Sequence, residues 1–192
     1  MDIVNFLIVI LTLFIVSFYV KEQFVEIEYV KSDVDDNSYL VRNEEDNKEA
    51  ANLLAKTNRK LLRLIDILEE KHPNDERTRR VKNNYDPSAI SESDGNNKYT
   101  SYSVNKGEKI VFCLRMRDRE NNLVDENTLT YVAIHELGHL ATEEVGHIQV
   151  FWDNFKWLLK IATDHGLYDY VDYSLNPQPY CGLVISSNVL NS

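Results

Sequence analysis

Cysteine is nearly missing: Cys113 and Cys181 are the only two in 192 residues. Two cysteines cannot build a disulfide framework or a four-cysteine zinc site. Basic residues are also scarce, 21 Lys and Arg against 31 Asp and Glu, for a net charge of −10. Sequence-independent binding to nucleic acid rests on neutralising phosphates, so this balance carries no strong nucleic-acid signal. The chain lacks internal repeats and low-complexity tracts. It also lacks any Asn-x-Ser/Thr sequon despite 19 asparagines, which leans toward a domain outside the secretory route. With 43% apolar and 27% charged residues, the bulk reads as one globular domain with appendages.

Charge is absent altogether from residues 3–20 (IVNFLIVILTLFIVSFYV). Eighteen helical residues rise about 27 Å, against a hydrocarbon core of roughly 30 Å. A cleaved signal would want a basic start and a small-residue cleavage site, whereas Asp2 and Ser17-Phe18-Tyr19 stand there. The expectation is a transmembrane anchor over 1–21, single-pass, in a host or virion membrane. Its sidedness is open, because Lys21 and Lys31 are offset by Glu22, Glu26, Glu28 and Asp33. Residues 22–45 are expected as an acidic juxtamembrane linker, with a strand or extended stretch at 24–30 (FVEIEYV). Residues 46–192 then form the domain.

Residues 46–71 carry Leu54, Leu61, Leu64, Ile65 and Leu68 on one helical face. Asp46 and Glu49 resemble a capping box, and Pro73 follows the end. Residues 74–98 are polar and turn-rich, an expected exposed connection in which Arg77, Arg79, Arg80 and Lys82 form a solvated basic cluster. Tyr99–Asn105 and Lys109–Arg115 are predicted strands joined by a hairpin loop. Helices are predicted over 125–142, capped by Asp125 or Asn127, and over about 148–164 with Gly166 beyond the end. Pro177 and Pro179 are expected to keep the tyrosine-rich tail irregular.

Three of the five histidines lie within thirteen residues. His135-Glu136-Leu137-Gly138-His139 spells H-E-x-x-H in the middle of a predicted helix, and the chain's own composition gives a chance occurrence of roughly 1%. Positions i and i+4 share a helix face, so both imidazoles reach one zinc ion, while Glu136 leans over the open coordination position as general base. A catalytic zinc needs a third protein ligand. No glutamate follows Glu144, and Thr142 and Val145 occupy the places of the glycine and third histidine of the longer H-E-x-x-H-x-x-G-x-x-H pattern. His147 is the leading candidate, ahead of His165, Asp153 and Asp164; His165 reads better as a helix-end histidine.

This pattern, with Gly146-His147-Ile148-Gln149-Val150-Phe151 after it, resembles the WLM and SprT-like zinc metallopeptidases, in which a phenylalanine follows the third histidine ligand by four residues. The match runs from about Tyr99 to Ala162, although the seven-residue spacer from His139 to His147 departs from the WLM pattern. The resemblance implies an α+β, zincin-like domain of helix, β-hairpin or small sheet, H-E-x-x-H helix and following helix, here behind an N-terminal transmembrane helix. It implies Zn2+ on His135, His139 and His147, with Glu136 catalytic, and an extended protein or peptide substrate pairing with the Lys109–Arg115 strand. WLM-like domains also occur in large DNA viruses, with which the Asn- and Tyr-rich composition is compatible. The DNA–protein crosslinks cleaved by relatives are not carried over to a chain of net charge −10.

The expected function is a membrane-anchored zinc endopeptidase. The alternative is a structural or assembly component, for instance of a virus particle, that retains the zincin scaffold beside virion or membrane-associated proteins. Weaker candidates are Tyr168, Tyr170, Tyr173 or Tyr180 as an oxyanion donor and Cys181 as a thiolate near the zinc. Arg115, Arg117 and Arg119 are expected as a solvated face.

Overall fold

The computed structural model describes residues 2–23, 27–94, 100–117 and 120–190. The chain is α+β. Helix α1 (Ile3–Gln23) leads into β1 (Ile27–Lys31) and β2 (Ser38–Arg42). Then come α2 (Asn47–Lys71), α3 (Glu76–Asn84), β3 (Ile90–Glu92), β4 (Tyr102–Val104) and β5 (Lys109–Phe112), followed by α4 (Glu126–Ala141), α5 (Gln149–Asp164), β6 (Gln178–Tyr180) and β7 (Leu183–Ile185).

Among the described residues no helix is long and apolar enough to cross a membrane. This corrects the expected transmembrane anchor over 1–21 and, with it, the single-pass placement in a host or virion membrane. The reason is length: the uncharged run rises about 27 Å, less than a hydrocarbon core of roughly 30 Å. The sequence of α1 then closes on Lys21, Glu22 and Gln23. Among the described side chains of α1, residues 3–17, none joins the hydrophobic core.

Five strands form one mixed sheet in the order β1-β2-β3-β5-β4. Strands β1 and β2 are antiparallel, with Ile27 opposite Arg42, so residues expected as linker belong to the domain's sheet. The start of that expected strand, residues 24–26, lies outside the described residues. Strand β3 runs parallel to both β2 and β5. A parallel pairing needs a crossover, and α2 with α3 supplies it between β2 and β3.

The apolar face of α2 forms as its periodicity predicts: Leu54, Leu61, Leu64 and Leu68 are at most 1% exposed. At ~1.5–3 kcal/mol for each buried leucine, this face rather than intrinsic propensity holds the helix. Asp46 is the N-cap residue but makes no side-chain capping bond. Its carboxylate pairs with the buried Arg115 guanidinium, which also binds buried Glu92, so the expected capping box loses to a long-range ion pair. Arg115 is 2% exposed, which corrects the solvated reading for that residue; Arg117 is exposed as expected, and Arg119 lies outside the described residues.

Residues 74–94 are more than an exposed connection; residues 95–99, the rest of that stretch and the start of the predicted Tyr99–Asn105 strand, lie outside the described residues. Helix α3 is capped by the Asp75 carboxylate, which accepts from the Arg77 amide, and it buries Thr78 and Val81. Every member of the basic cluster is engaged. Arg77 pairs with Asp75 and lies 3.8 Å over the Trp157 ring, Arg79 pairs with Glu76, Arg80 with Glu143, and Lys82 with Glu69. The tail also departs from expectation: β6 and β7 form a hairpin that includes Pro179. Proline fits there because the ribbon has two strands and both are edges. The hairpin is bonded to the sheet by a disulfide between Cys113 and Cys181, so Cys181 is no free thiolate.

Candidate metal centre

Helix α4 carries the site. Asp125 caps it, its carboxylate accepting from the Thr128 amide at 2.8 Å, which satisfies one of the amides left open at a helix start. Leu129, Ala133, Leu137 and Leu140 sink into the core and so fix the helix rotation. That rotation turns His135 and His139, one turn apart, toward a cleft. Gly138 lies on the side facing α5, where an added Cβ would come within 3.1 Å of Phe151 Cε2 and 3.3 Å of Phe155 Cβ. The motif's glycine therefore permits close approach of α5, and α5 brings the third histidine.

His147 precedes α5 in the loop after α4. Its ring centroid lies 5.0 Å from His135 and 4.8 Å from His139, and His135 and His139 are 5.1 Å apart. His147 Nε2 is 3.0 Å from His135 Nε2. One ligand nitrogen from each ring falls within 4.8 Å of the others. Two neighbours hold these rings: Phe151 stacks on His139 at 4.3 Å, and Trp152 Nε1 donates to the His147 carbonyl at 3.0 Å.

Burial keeps His135 and His139 neutral. Burial, then repulsion from His139 and His147, pushes His135 down to about 3. Burial, then His147 and Lys106, pushes His139 down to about 4. Glu136 is buried and pushed up to about 7, with a Ser103 hydrogen bond opposing the shift. Its Oε2 has no hydrogen-bond partner. An orphaned buried carboxylate oxygen beside three converging imidazoles fits a zinc ion with an open position.

The root of the metal loop is tied down. Lys106, in the β4–β5 turn, donates from Nζ to the carbonyls of Thr142 at 2.6 Å and Glu144 at 2.8 Å, with a longer contact to His139 O at 3.4 Å. Two hollows meet at the histidines. One, of about 530 Å³, is lined by Ser103, Asn105, Lys106 and Val145. The other, of about 440 Å³, lies toward the β6–β7 hairpin.

Comparison with known proteins places the chain. It is 35% identical over 196 residues to the uncharacterized protein R325 of Acanthamoeba polyphaga mimivirus, an alignment covering 98% of this chain and 97% of that one. The chain belongs to the family of that mimivirus protein. Shorter stretches of the chain match uncharacterized proteins of two invertebrate iridescent viruses. Protein 136R of Invertebrate iridescent virus 6 is 39% identical over 70 residues, covering 36% of this chain and 39% of that protein. Protein 042R of Invertebrate iridescent virus 3 is 36% identical over 69 residues, covering 36% and 42%. No family model matches, and no solved structure matches.

In this family member the fold gathers His135, Glu136, His139 and His147, and it leaves the rival third ligands elsewhere. Asp153 accepts from Gln149 and Asp164 pairs with Lys160. His165 closes α5, its Nδ1 2.8 Å from the Ile161 carbonyl. Of the tyrosines considered as oxyanion donors, Tyr168 and Tyr173 pack around Tyr131, at 5.9 and 4.9 Å between ring centroids. Tyr180 lines the cleft, but its hydroxyl donates to Cys113 O at 2.9 Å and pairs with Ser101 Oγ at 2.7 Å.

Sequence reasoning missed Tyr131, Trp152, Lys106 and Ser103. Tyr131 was findable as the residue one turn before His135 on the same face. Lys106 was not, because nothing local ties a turn lysine to carbonyls more than thirty residues away.

Proposed function

We propose that this protein is a zinc-dependent endopeptidase with His135, His139 and His147 as metal ligands and Glu136 as general base. The observation that carries this reading is the unpartnered, buried Glu136 Oε2 beside the three imidazoles. Zinc, when bound, lowers the pKa of water to about 7 and polarises a peptide carbonyl. Glu136 takes the proton from the attacking water and returns it to the leaving amine. Phe151 and Trp152 hold the His139 and His147 rings in place, which limits reorganisation as charge develops.

The likeness to WLM and SprT-like peptidases supports the same assignment, with one revision. Strand β5 lies between β3 and β4 and cannot accept another strand. An extended substrate instead pairs with β4, the edge strand, which brings Ser103 to the same cleft as Glu136.

Glu136→Gln tests the mechanism. The variant should retain zinc and lose turnover of an unfolded protein substrate by at least about a thousandfold, comparable with removal of other central catalytic groups. A zinc-loaded Glu136→Gln protein with parental kcat would refute the base assignment.

A further inference from the structure

We infer that the hollow toward the β6–β7 hairpin is a substrate subsite that takes one bulky apolar side chain, aromatic or branched, next to the scissile bond. The inference deepens the peptidase reading and rests on it. Tyr131 and Val132 form the inner wall, one turn before His135. Trp152 stands on the α5 side, and Leu183, Val184 and Ile185 close it from the hairpin. Leu183 and Val184 are large apolar groups left open to solvent, at 58% and 63%, while Ile185 lines the hollow and also packs against the core.

Charge decides the occupant. Among the described residues, apart from Glu136 and the metal-binding histidines, no acidic or basic side chain lines this hollow, whereas Lys106 lines the other one. A charged substrate residue would find only Glu136, which the peptidase reading commits to the metal-bound water, and the hydroxyls of Thr100, Ser101, Ser186 and Ser187, so desolvation disfavours it relative to an apolar one. The volume, about 440 Å³, accommodates a single large side chain with its flanking backbone. Continuity with the metal centre fixes the occupant as substrate, because His135, Glu136 and His147 line both hollows. The wall has a fixed position because the disulfide anchors the hairpin turn at Cys181 to Cys113 beside β5.

Two zinc-chelating probes test this on the zinc-loaded full chain: acetohydroxamate and a hydroxamate bearing a benzyl side chain. Burying the ring should tighten binding about tenfold to hundredfold. Val184→Glu, at an exposed position, should keep its zinc and its acetohydroxamate affinity while losing most of that preference. Leu175→Glu, exposed and outside both hollows, should leave the preference intact. Equal binding of the two probes by zinc-loaded parent, or an unchanged preference in Val184→Glu, overturns the subsite and leaves the peptidase reading standing. A parent that holds neither zinc nor acetohydroxamate overturns both.

Discussion

Replacing Lys106 by methionine keeps the length of the side chain and removes its charge and its three hydrogens. The backbone is unaffected in principle, because Lys106 already has φ of 59° and methionine meets the same strain there. Lost are the bonds to Thr142 O at 2.6 Å and Glu144 O at 2.8 Å, which stitch the β4–β5 turn to the end of α4 and to the loop entering His147. Hydrogen bonds to a charged donor contribute ~1.5–3 kcal/mol each when buried, and a cation at a helix C-terminus adds ~0.3–1 kcal/mol. Lys106 is half-buried, so water recovers much of this, and the net loss should be about 2 kcal/mol. For a chain of this size that lowers Tm by roughly 4–8 °C. The stitched segment ends three residues before His147, so zinc affinity should also fall, by about tenfold to thirtyfold. Thermal unfolding with and without zinc, together with a competitive zinc titration, measures both effects. A Lys106→Met protein that melts within a degree of the parent and binds zinc equally well would refute the stitch.

Two further perturbations have magnitudes that follow from the fold. At Gly107, φ is 114° and an added Cβ would sit 2.0 Å from the Asn84 carbonyl oxygen. Gly107→Ala should therefore cost more than about 3 kcal/mol by denaturant titration, and a loss below 1 kcal/mol would contradict the packing of α3 on this turn. The Cys113–Cys181 bridge spans 68 positions, and opening it in the double Ser variant should cost about 2–4 kcal/mol. The parent's thiols should stay unreactive to maleimide in denaturant until reduced; immediate labelling of two thiols would exclude the bridge.

What could be read from sequence divides along the range of the interactions. Helices α4 and α5 were legible because their signals are local: Asp125 one residue ahead of α4, apolar residues at helical spacing, and Gly166 just past the end of α5. The H-E-x-x-H pair was legible for the same reason, and His147 led a short field that still held His165, Asp153 and Asp164. Helix α3 was hidden because Thr78 and Val81 are its only buried residues, too few to produce a periodic stripe. Strand β3 is three residues long and exists because β2 and β5 flank it, which no local pattern announces. The Asp46 carboxylate looked like a cap and became the partner of Arg115, sixty-nine residues away. The disulfide was likewise invisible, since two cysteines 68 apart carry no spacing signature. Residues 3–20 misled in the opposite sense: hydrophobicity was plain, but the run was too short for the span assigned to it.

The most direct test of the metal centre is the zinc content of the purified full chain beside its His147→Ala variant, measured by mass spectrometry. About one zinc per chain in the parent, with affinity weakened at least a hundredfold in the variant, is the expected result, since loss of one of three protein ligands leaves two imidazoles. A well-folded parent without zinc, or a variant that holds zinc as tightly as the parent, would contradict the three-histidine site.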